Sequence, residues 1–354
     1  MTIKKTTKLG GSASHITVSK TGHGLMMMTW KPTPVPDEQA FEAIKAGLDS
    51  LPPNTQMLLN SGEFYGMNPR HANLELVSRF FEKYPEYRDK AFLSVKGGYK
   101  PDEVKGAYRP DKLELDTSPE TTRLTVNVIN EKLRGMKRMD LFEISRLAPE
   151  VYSVEDHMRV LKQLRDEGHF DHVGLSEVRA ETIRKCNAVV PIAAVEIEVS
   201  PWSYSKETQE DIAVCKELAI PVVAYSPLGR GFLTGQVKRP EDFEPGDIRR
   251  NFSRYKVDAM AHNFALVDGL SAIAAKKGIT PAQLSIAWVS ARGPHVIPIP
   301  GSSHKKRTLE NLAGGDLELT PEDLAEVDAV REAHPVQGGR YFDEVPVEKL
   351  HLMV

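Results

Sequence analysis

The feature that most constrains the fold is a regular alternation of short apolar segments with longer amphipathic ones. Eight segments have the length and composition of strands: "GLMMMTW" (24–30), "QMLLN" (56–60), "AFLSVK" (91–96), "DLFEIS" (140–145), "HVGLS" (172–176), "AAVEIEV" (193–199), "PVVAYS" (221–226) and "HVIPIPG" (295–301). Strands that alternate with helices pair in parallel through right-handed crossovers. Eight such units predict an α/β fold of the (β/α)8, or TIM-barrel, type.

The intervening segments carry helix signals. Apolar residues recur three and four positions apart in the sets 41/44/48, 126/129/133 and 266/270/273. Thr280, Pro281 and Gln283 have the spacing of a capping box at a helix start, and similar signals stand at 118–121 and 320–323. A doubly wound sheet is the alternative, but no G-x-G-x-x-G follows an early strand. We therefore expect a single domain over 1–354, with the barrel at about 15–330 and a C-terminal tail at 331–354.

Composition limits the possible functions. The chain has 354 residues, of which 40% are apolar, and a formal charge of −3, which argues against a nucleic-acid-binding surface. Two cysteines fit a reducing compartment, and residues 1–22 lack the apolar core of a signal peptide. No apolar run approaches the roughly twenty residues of a membrane span. We expect a soluble, cytoplasmic protein, and the histidine spacing predicts no metal site.

In a barrel of this type, functional groups lie at the carboxyl ends of the strands. The residues at these ends are Trp30, Asn60 to Tyr65, Lys96, Ser145, Arg146, Ser176, Glu177, Ser200 to Trp202, and Ser226. From 226 to about 260 the chain is rich in Gly, Pro and charge, which is typical of a lid or a binding loop. The C-terminal tail could fold over the barrel mouth or contact another subunit.

The segment after the last predicted strand, "IPGSSHKKRTLENL" (299–312), has the features of a phosphate site. Gly301, Ser302 and Ser303 would offer backbone N–H groups at the start of a helix, which binds phosphate well. Three cations follow in the first turn, where they are unfavourable for the helix dipole unless an anion is nearby. Arg307 suits bidentate contact with the extra ribose phosphate of NADP. A solvated basic turn is the alternative.

The sequence resembles the aldo-keto reductases from about residue 15 to residue 330. Eight ordered segments carry the resemblance: "NSGEFYG" (60–66), "FLSVKGG" (92–98), "DLFEISRLAP" (140–149), "VGLSEV" (173–178), "VEIEVSPWS" (195–203), "AYSPLGRGFLTG" (224–235), "TPAQLSIAWV" (280–289) and "IPIPGSSHKKRTLENL" (297–312). Within the family, the chain looks most similar to the fungal pyridoxal reductases. The resemblance implies a (β/α)8 barrel that binds NADPH across its C-terminal mouth and reduces a carbonyl compound.

The resemblance also assigns the catalytic pair. Tyr65 matches the tyrosine that donates a proton to the carbonyl oxygen, and Lys96 matches its lysine partner. A free phenol has a pKa near 10 and is a poor acid at neutral pH. A lysine cation within hydrogen-bonding reach lowers that pKa and stabilises the developing alkoxide.

Two positions depart from the family pattern. Asn60 stands where the family usually has an aspartate, and it can accept a hydrogen bond from Lys96 but cannot balance its charge. Ser145 replaces the usual histidine, and it is shorter and cannot become a cation. The departures indicate either a weak catalyst or a site adapted to a particular aldehyde. Pyridoxal is such an aldehyde, because its neighbouring phenol can hydrogen-bond its own carbonyl.

Further roles follow from the resemblance. The residues that match cofactor-binding positions are Thr29, Ser176, Glu177, Glu196, Ser226, Leu228, Gly229, Gly301, Ser302, Ser303, Arg307, Glu310 and Asn311. Glu177 and Glu196 replace an asparagine and a glutamine, so each keeps an acceptor and loses a donor unless protonated. The residues expected to shape the substrate pocket are Trp30, Arg146 and Trp202.

Three functions remain open at this point. The first is NADPH-dependent reduction of pyridoxal, and the second is reduction of other aldehydes or ketones by the same residues. The third is a cofactor-binding regulatory subunit, like the potassium-channel β subunits that share this fold. Asn60 and Ser145 favour the third possibility, whereas the presence of both Tyr65 and Lys96 argues against it.

Overall fold

The strands of the chain form a barrel and a small hairpin. A computed structural model describes residues 2–100, 115–149 and 152–341. Its strands are β1 Thr6–Lys8, β2 Thr17–Ser19, β3 His23–Gly24, β4 Met57–Gly62, β5 Ala91–Gly97, β6 Leu141–Ile144, β7 His172–Ser176, β8 Ile192–Glu198, β9 Val222–Tyr225 and β10 Val296–Pro298. In this part of the chain, β3 to β10 make one eight-stranded parallel sheet in sequence order. A bridge between Gly24 and Gly301 joins its two ends. The predicted (β/α)8 barrel is confirmed.

Helices connect the successive strands. They are α1 Met26–Thr29, α2 Asp37–Asp49, α3 Ala72–Lys83, α4 Pro119–Leu133, α5 Val154–Asp166, α6 Ala180–Val189, α7 Lys206–Glu217, α8 Val257–Lys276, α9 Pro281–Ser290, α10 Lys305–Asp316 and α11 Pro321–Ala333. Short 3-10 helices lie at Gly11–Ala13, Pro85–Lys90, Gly229–Thr234, Pro240–Asp242, Ile248–Asn251 and Ser253–Tyr255. Throughout the described ranges, no helix combines the length and the apolar character that crossing a membrane requires.

The sequence signals for these helices are confirmed. Phe41, Ile44 and Leu48 are buried along one face of α2, as the periodicity predicts. At the start of α9, Thr280 Oγ1 accepts a hydrogen bond from the Gln283 N–H, and the Gln283 side chain accepts one from the Thr280 N–H. This capping box satisfies donors that the first helical turn leaves unpaired.

The first predicted strand is wrong over most of its length. Only His23–Gly24 pairs with β4, and Met26–Thr29 of "GLMMMTW" forms one turn of helix. A Cβ at Gly24 would lie 3.0 Å from the Ile299 carbonyl oxygen, so this strand end is tightly enclosed by the chain after β10. Methionine favours helices, and a short, mostly apolar run does not distinguish a strand from a buried helical turn.

The barrel interior changes in character from one end to the other. Its amino-terminal half is apolar and contains Leu58, Phe92, Leu141, Val223 and Ile297. The β1–β2 hairpin contributes to the same cluster and covers this end, where the Gly10 N–H donates to the Ala193 carbonyl. Nearer the carboxyl ends, the buried side chains are polar or charged: Asn60, Ser94, Lys96, Glu143 and Glu196. Buried charges of this kind need partners, so this end of the barrel holds the candidate site.

Candidate active site

The turn after β4 brings Tyr65 back over the end of its own strand. β4 ends at Gly62, and a Cβ there would lie only 2.9 Å from the Tyr65 ring. Glycine at this position therefore lets the ring close against the strand. Trp30 stacks on the other side, with ring centroids 5.2 Å apart and planes at 23°, and Phe64 meets Tyr65 edge-on. The Tyr65 side chain is consequently buried, and its surroundings are largely aromatic.

Buried polar contacts hold this turn in place. The fully buried Glu63 carboxylate pairs with the Arg70 guanidinium, whose Nε lies 2.8 Å from Oε1. Thr29 Oγ1 donates to the Tyr65 carbonyl oxygen at 2.6 Å. Asn73 Nδ2 in turn donates to Thr29 Oγ1 at 2.7 Å. The backbone of Tyr65 is thus fixed before any ligand binds, which favours precise placement of its phenol.

Lys96 is buried next to Tyr65. It lies on β5 opposite Gly62, and its Nζ is 5.4 Å from the centroid of the Tyr65 ring. Nζ donates to both carboxylate oxygens of Glu196, at 2.7 and 2.8 Å, and to Asn60 Oδ1 at 2.8 Å. Burial acts to lower the pKa of Lys96, but Glu196 and other neighbours raise it above its ordinary value. Lys96 is therefore a cation at physiological pH.

Burial dominates the acidity of Tyr65. It raises the pKa of the phenol to about 12, although the charge and the hydrogen bond of Lys96 act to lower it. The lysine thus has the predicted direction of effect, but the net shift is upward because Glu196 and Glu143 add to the effect of burial. Tyr65 therefore keeps its proton at neutral pH and is available as a donor.

Ser145 and Arg146 follow β6 at the same end of the barrel. The Ser145 side chain is buried, and its Oγ has no hydrogen-bond partner among residues 2–100, 115–149 and 152–341. Arg146 donates to the Ser145 carbonyl oxygen and, at 3.3 Å, to the hydroxyl of Tyr341. A buried hydroxyl without a partner is costly unless a ligand binds it. Ser145 can therefore donate to a ligand oxygen.

Comparison with known proteins identifies the family. A model described as "Aldo/keto reductase family" matches residues 20–332. The chain belongs to the aldo-keto reductase family. It is 37% identical over 329 residues to "Probable pyridoxal reductase 2" of Schizosaccharomyces pombe, covering 92% of this chain and 95% of that protein. It is 36% identical to "Aldo-keto reductase yakc [NADP(+)]" of the same organism, over 80% of each chain.

A solved structure supports the same fold. The glycerol dehydrogenase AKR11B4 from Gluconobacter oxydans superimposes with a TM-score of 0.76, covering 93% of this chain and 96% of that one. The identity is 23%, so this likeness concerns the fold alone. As a member of the aldo-keto reductases, the protein is an oxidoreductase that reduces aldehydes or ketones with a nicotinamide cofactor.

In this aldo-keto reductase, the two acidic replacements at the barrel mouth are both paired. Ser176 ends β7, and the next residue, Glu177, has a left-handed backbone with φ of 55°. The Glu177 carboxylate accepts from Arg340 at 3.0 and 3.1 Å and from the Tyr225 hydroxyl at 2.8 Å. Glu196 binds Lys96 instead. The structure therefore brings both residues to the mouth, but their carboxylates pair with different cations: Glu177 with Arg340 and Glu196 with Lys96.

The loop after β9 covers the mouth. Ser226 and Gly229 have φ of 52° and 55°, which lets this loop turn back immediately after the strand. The Tyr255 hydroxyl donates to the Gly229 carbonyl oxygen at 3.0 Å, and Leu228 accepts backbone hydrogen bonds within the turn. Trp202, predicted to contact substrate, packs beneath this loop against Phe232 at 4.6 Å. Trp30, by contrast, lies directly on Tyr65.

The predicted phosphate end of this aldo-keto reductase has an accessible cation. Helix α10 begins at Lys305 after the N-cap residue His304, and Gly301, Ser302 and Ser303 lie directly before that cap. Arg307 is exposed in the first turn and reaches Gln236 Oε1 at 3.2 Å, across from the loop after β9. The side of Gly301 is also open, because a Cβ there would meet only the Gly24 carbonyl oxygen, at 3.4 Å. Backbone donors and an exposed guanidinium at one helix start fit a phosphate group.

Two further predicted cofactor residues lie on the same helix. Glu310 accepts a hydrogen bond from Thr280 Oγ1 at 2.7 Å, and Asn311 is buried. The bond to Thr280 joins α10 to the start of α9. These two predicted cofactor residues therefore lie about one helical turn beyond Arg307 along α10.

Sequence reasoning missed three residues around the site. Glu143 lies inside β6, where a carboxylate between apolar neighbours was a signal that its side chain faces a polar interior. Arg340 and Tyr341 come from the tail, and Tyr341 shares a hydrogen bond of 2.6 Å with Tyr225. The described part of the tail thus contacts the barrel mouth, one of the two predicted positions. Residues 342–354 lie outside the described part of the chain.

Proposed function

We propose that this aldo-keto reductase is an NADPH-dependent enzyme that reduces an aldehyde to an alcohol, with pyridoxal as the favoured substrate and pyridoxine as the product. The observation that carries the proposal is the buried phenol of Tyr65 beside the buried ammonium of Lys96 at the carboxyl ends of the strands. This pair supplies a proton donor and a fixed positive charge at one place, which reduction of a carbonyl requires.

The residues of the chain act on the carbonyl oxygen. When bound, a nicotinamide cofactor would supply the hydride that the carbonyl carbon accepts. As negative charge develops on the oxygen, Tyr65 donates its proton, and Lys96 stabilises the phenolate that remains. General-acid catalysis of this type contributes on the order of a hundred- to ten-thousand-fold in rate. Ser145 Oγ, which has no partner among the described residues, donates a second hydrogen bond to the same oxygen.

The choice of NADPH rests on the start of α10. Ser302, Ser303 and Arg307 combine hydroxyl, backbone and guanidinium donors beside an open surface. The 36% identical relative carries NADP(+) in its name. An arginine at this point favours a ribose bearing a phosphate over one bearing a hydroxyl, because its planar fork matches phosphate oxygens.

The choice of pyridoxal rests on the weak donors around the carbonyl and on the 37% identical relative. Ser145 cannot supply a cation to the carbonyl oxygen. Pyridoxal compensates for this loss, because its own phenol lies next to the aldehyde. Arg146, at the mouth of the same strand, can donate a hydrogen bond to the oxygen of the pyridoxal phenol, which keeps its own proton for the aldehyde oxygen.

The test is NADPH consumption at neutral pH with pyridoxal, measured for the wild-type chain and for Tyr65→Phe. We expect the variant to lose at least about a hundredfold in kcat because it lacks the acid. Its affinity for NADPH, measured by fluorescence titration, should stay the same. Tyr87→Phe is the matched control, since that phenol binds Asp49 at 2.6 Å outside the barrel and plays no part in the proposed reaction.

The other outcomes separate the competing functions. Turnover of simple aldehydes or ketones without turnover of pyridoxal would support a reductase of a different substrate. Tight NADPH binding without turnover of any carbonyl compound in a panel would support a regulatory cofactor-binding protein. Undiminished turnover by Tyr65→Phe would exclude Tyr65 as the acid.

A further inference from the structure

The Lys96 ammonium lies in a part of the barrel that excludes water. Its side chain is 5% exposed, and that of Glu196 is 4% exposed. An ammonium buried to this extent is unstable without a compensating negative charge. Glu196 lies on β8, across the barrel interior from β4 and β5, and both of its carboxylate oxygens bind Nζ, at 2.7 and 2.8 Å.

Asn60 completes this arrangement as a neutral bridge. Its Oδ1 accepts from Lys96 Nζ at 2.8 Å, and its Nδ2 donates to Glu196 Oε2 at 2.5 Å. An amide suits this position because its NH2 group donates and its oxygen accepts, so it can serve two different partners. A carboxylate in its place would direct an oxygen at the Glu196 carboxylate and would repel it. The amide at 60 and the carboxylate at 196 are therefore matched to each other.

A second carboxyl group lies next to the pair. Glu143, on β6, is opposite Lys96 in the sheet register and accepts a hydrogen bond from the Ser94 hydroxyl. Burial, followed by the negative charge of Glu196, raises the pKa of Glu143 to about 8, so one of the two carboxyl groups carries a proton at neutral pH. Since Glu196 is bound directly to the ammonium, the proton belongs on Glu143. The buried group then contains one cation, one anion and one neutral acid.

We propose that Glu196 is the counter-ion that positions Lys96 beside Tyr65, with Asn60 as the neutral bridge, and that Glu196 is not a ligand of the cofactor. The inference rests on the proposed function, and it replaces the cofactor-binding role predicted for Glu196 from the resemblance. It also explains how a chain with an amide at position 60 keeps a charge-balanced lysine. The required carboxylate is present, but it approaches from the opposite wall of the barrel.

The test is a charge exchange between the two positions. Glu196→Gln removes the counter-ion and preserves shape, Asn60→Asp adds a second carboxylate, and the double variant moves one carboxylate from β8 to β4. We expect each single variant to lose on the order of tenfold in kcat for pyridoxal and to shift the pH profile of kcat. The double variant should recover most of the loss, while the Kd for NADPH stays within about twofold of wild type throughout.

A neighbouring residue provides the control. Glu198 faces the same interior two residues further along β8, but its carboxylate binds Arg340 at 2.9 Å. Adding Asn60→Asp to a Glu198→Gln variant should therefore not restore kcat for pyridoxal. Additive losses in the double variant, or a Glu196→Gln variant that weakens NADPH binding and leaves kcat and its pH profile unchanged, would overturn the proposal.

A second measurement does not depend on catalysis. The Tm of the same four chains should fall in each single variant and recover in the double variant. If the wild-type chain reduces no carbonyl compound, the proposed function fails, but this pattern of Tm values still tests the counter-ion. If a single variant does not fold, the double variant should restore folding. A double variant that also fails to fold would contradict the proposed exchange of charge between positions 60 and 196.

Discussion

Arg340 and Glu177 meet at the barrel mouth although 163 positions separate them in the chain, with Nη2 of the arginine 3.0 Å from Oε1 of the carboxylate. Arg340 Nε also donates to Glu198 Oε2 at 2.9 Å. Burial acts to raise the pKa of Glu198, but Arg340, Arg230 and Arg254 outweigh it and lower that pKa to about 2. One tail residue therefore neutralises two carboxylates at the carboxyl ends of the adjacent strands β7 and β8.

This contact predicts that Arg340→Ala will destabilise the fold. The change leaves Glu177, which is fully buried, without a cation in direct contact among the residues that the structure describes. We expect a loss of about 2 kcal/mol in the free energy of unfolding, below the usual range for a buried pair because the arginine is 26% exposed. Urea denaturation monitored by circular dichroism measures the change.

The matched control for Arg340 is an exposed arginine. Arg138 pairs with Asp171 on the surface, where both side chains are substantially exposed. Arg138→Ala should cost no more than about 1 kcal/mol. Equal losses in the two variants would show that the tail contact contributes no more than an ordinary surface pair.

Ser145→His should broaden the range of substrates. An imidazole reaches further than a hydroxyl and can carry a positive charge, so it stabilises the oxygen of an aldehyde that has no phenol of its own. We expect kcat/KM for benzaldehyde to rise about tenfold relative to kcat/KM for pyridoxal. Steady-state kinetics with both substrates test this expectation. Unchanged pyridoxal turnover without improvement for benzaldehyde would contradict the idea that Ser145 adapts the site.

Removal of the same hydroxyl provides the complementary measurement. Ser145→Ala should lower kcat for pyridoxal by up to about tenfold, the value of one hydrogen bond. If Ser145→Ala has no effect, the buried hydroxyl does not contact the carbonyl oxygen in the transition state.

Glu143 should make the stability of the protein depend on pH. Burial, followed by the charge of Glu196, raises the pKa of Glu143 from 4.5 to about 8. Between these values the unfolded chain releases a proton that the folded chain keeps. The contribution of this group is therefore fully present below about pH 4.5 and is lost as the pH rises through about 8.

The variant Glu143→Gln removes this dependence. Its free energy of unfolding, relative to wild type, should increase with pH across that window, with a slope of up to about 1.4 kcal/mol per pH unit. Denaturation at several pH values measures the slope. Glu131→Gln, at an exposed position of α4, is the control and should give a flat difference. A flat difference for Glu143→Gln would show that the carboxyl is already ionised at neutral pH.

Arg307→Ala should reduce the preference for NADPH. The guanidinium is exposed at the start of α10, where we propose that it binds the ribose phosphate. Loss of one charge-assisted contact should raise the KM for NADPH about tenfold and leave that for NADH unchanged. Lys305→Ala, two residues earlier in the same turn, serves as the comparison. Equal increases for both cofactors would indicate that Arg307 does not distinguish them.

The parts of the fold with a repeating pattern were predictable from sequence. The apolar stripe of α2 and the capping box at Thr280 depend on local spacing, and both are present as predicted. The strand at 24–30 failed because "GLMMMTW" contains a single polar residue, Thr29, and one such residue does not reveal a period. The net effect on the pKa of Tyr65 was also beyond reach, since it depends on burial and on carboxylates from β6 and β8.

Contacts between distant segments could not be predicted in the same way. Arg340 lies in a tail without a periodic pattern, so its pairing with Glu177 depends on how the chain crosses the finished barrel. The partner of Lys96 was equally hidden. Asn60 could be assigned to Lys96 from the resemblance, whereas Glu196 became visible as a partner only when the strands were arranged around a common centre.

The position of that carboxylate changes how such a barrel should be compared with others. A comparison that examines position 60 alone would conclude that Lys96 has no carboxylate partner. It would then place the chain among inactive members of the family. All eight strands of the barrel face one interior, and a side chain on any of them can reach the same ammonium if it is long enough. The charged residues at one level of the barrel interior are thus a better guide to catalytic competence than the residue at one alignment position. In this chain, Glu196 on β8 supplies a carboxylate at the level of Lys96.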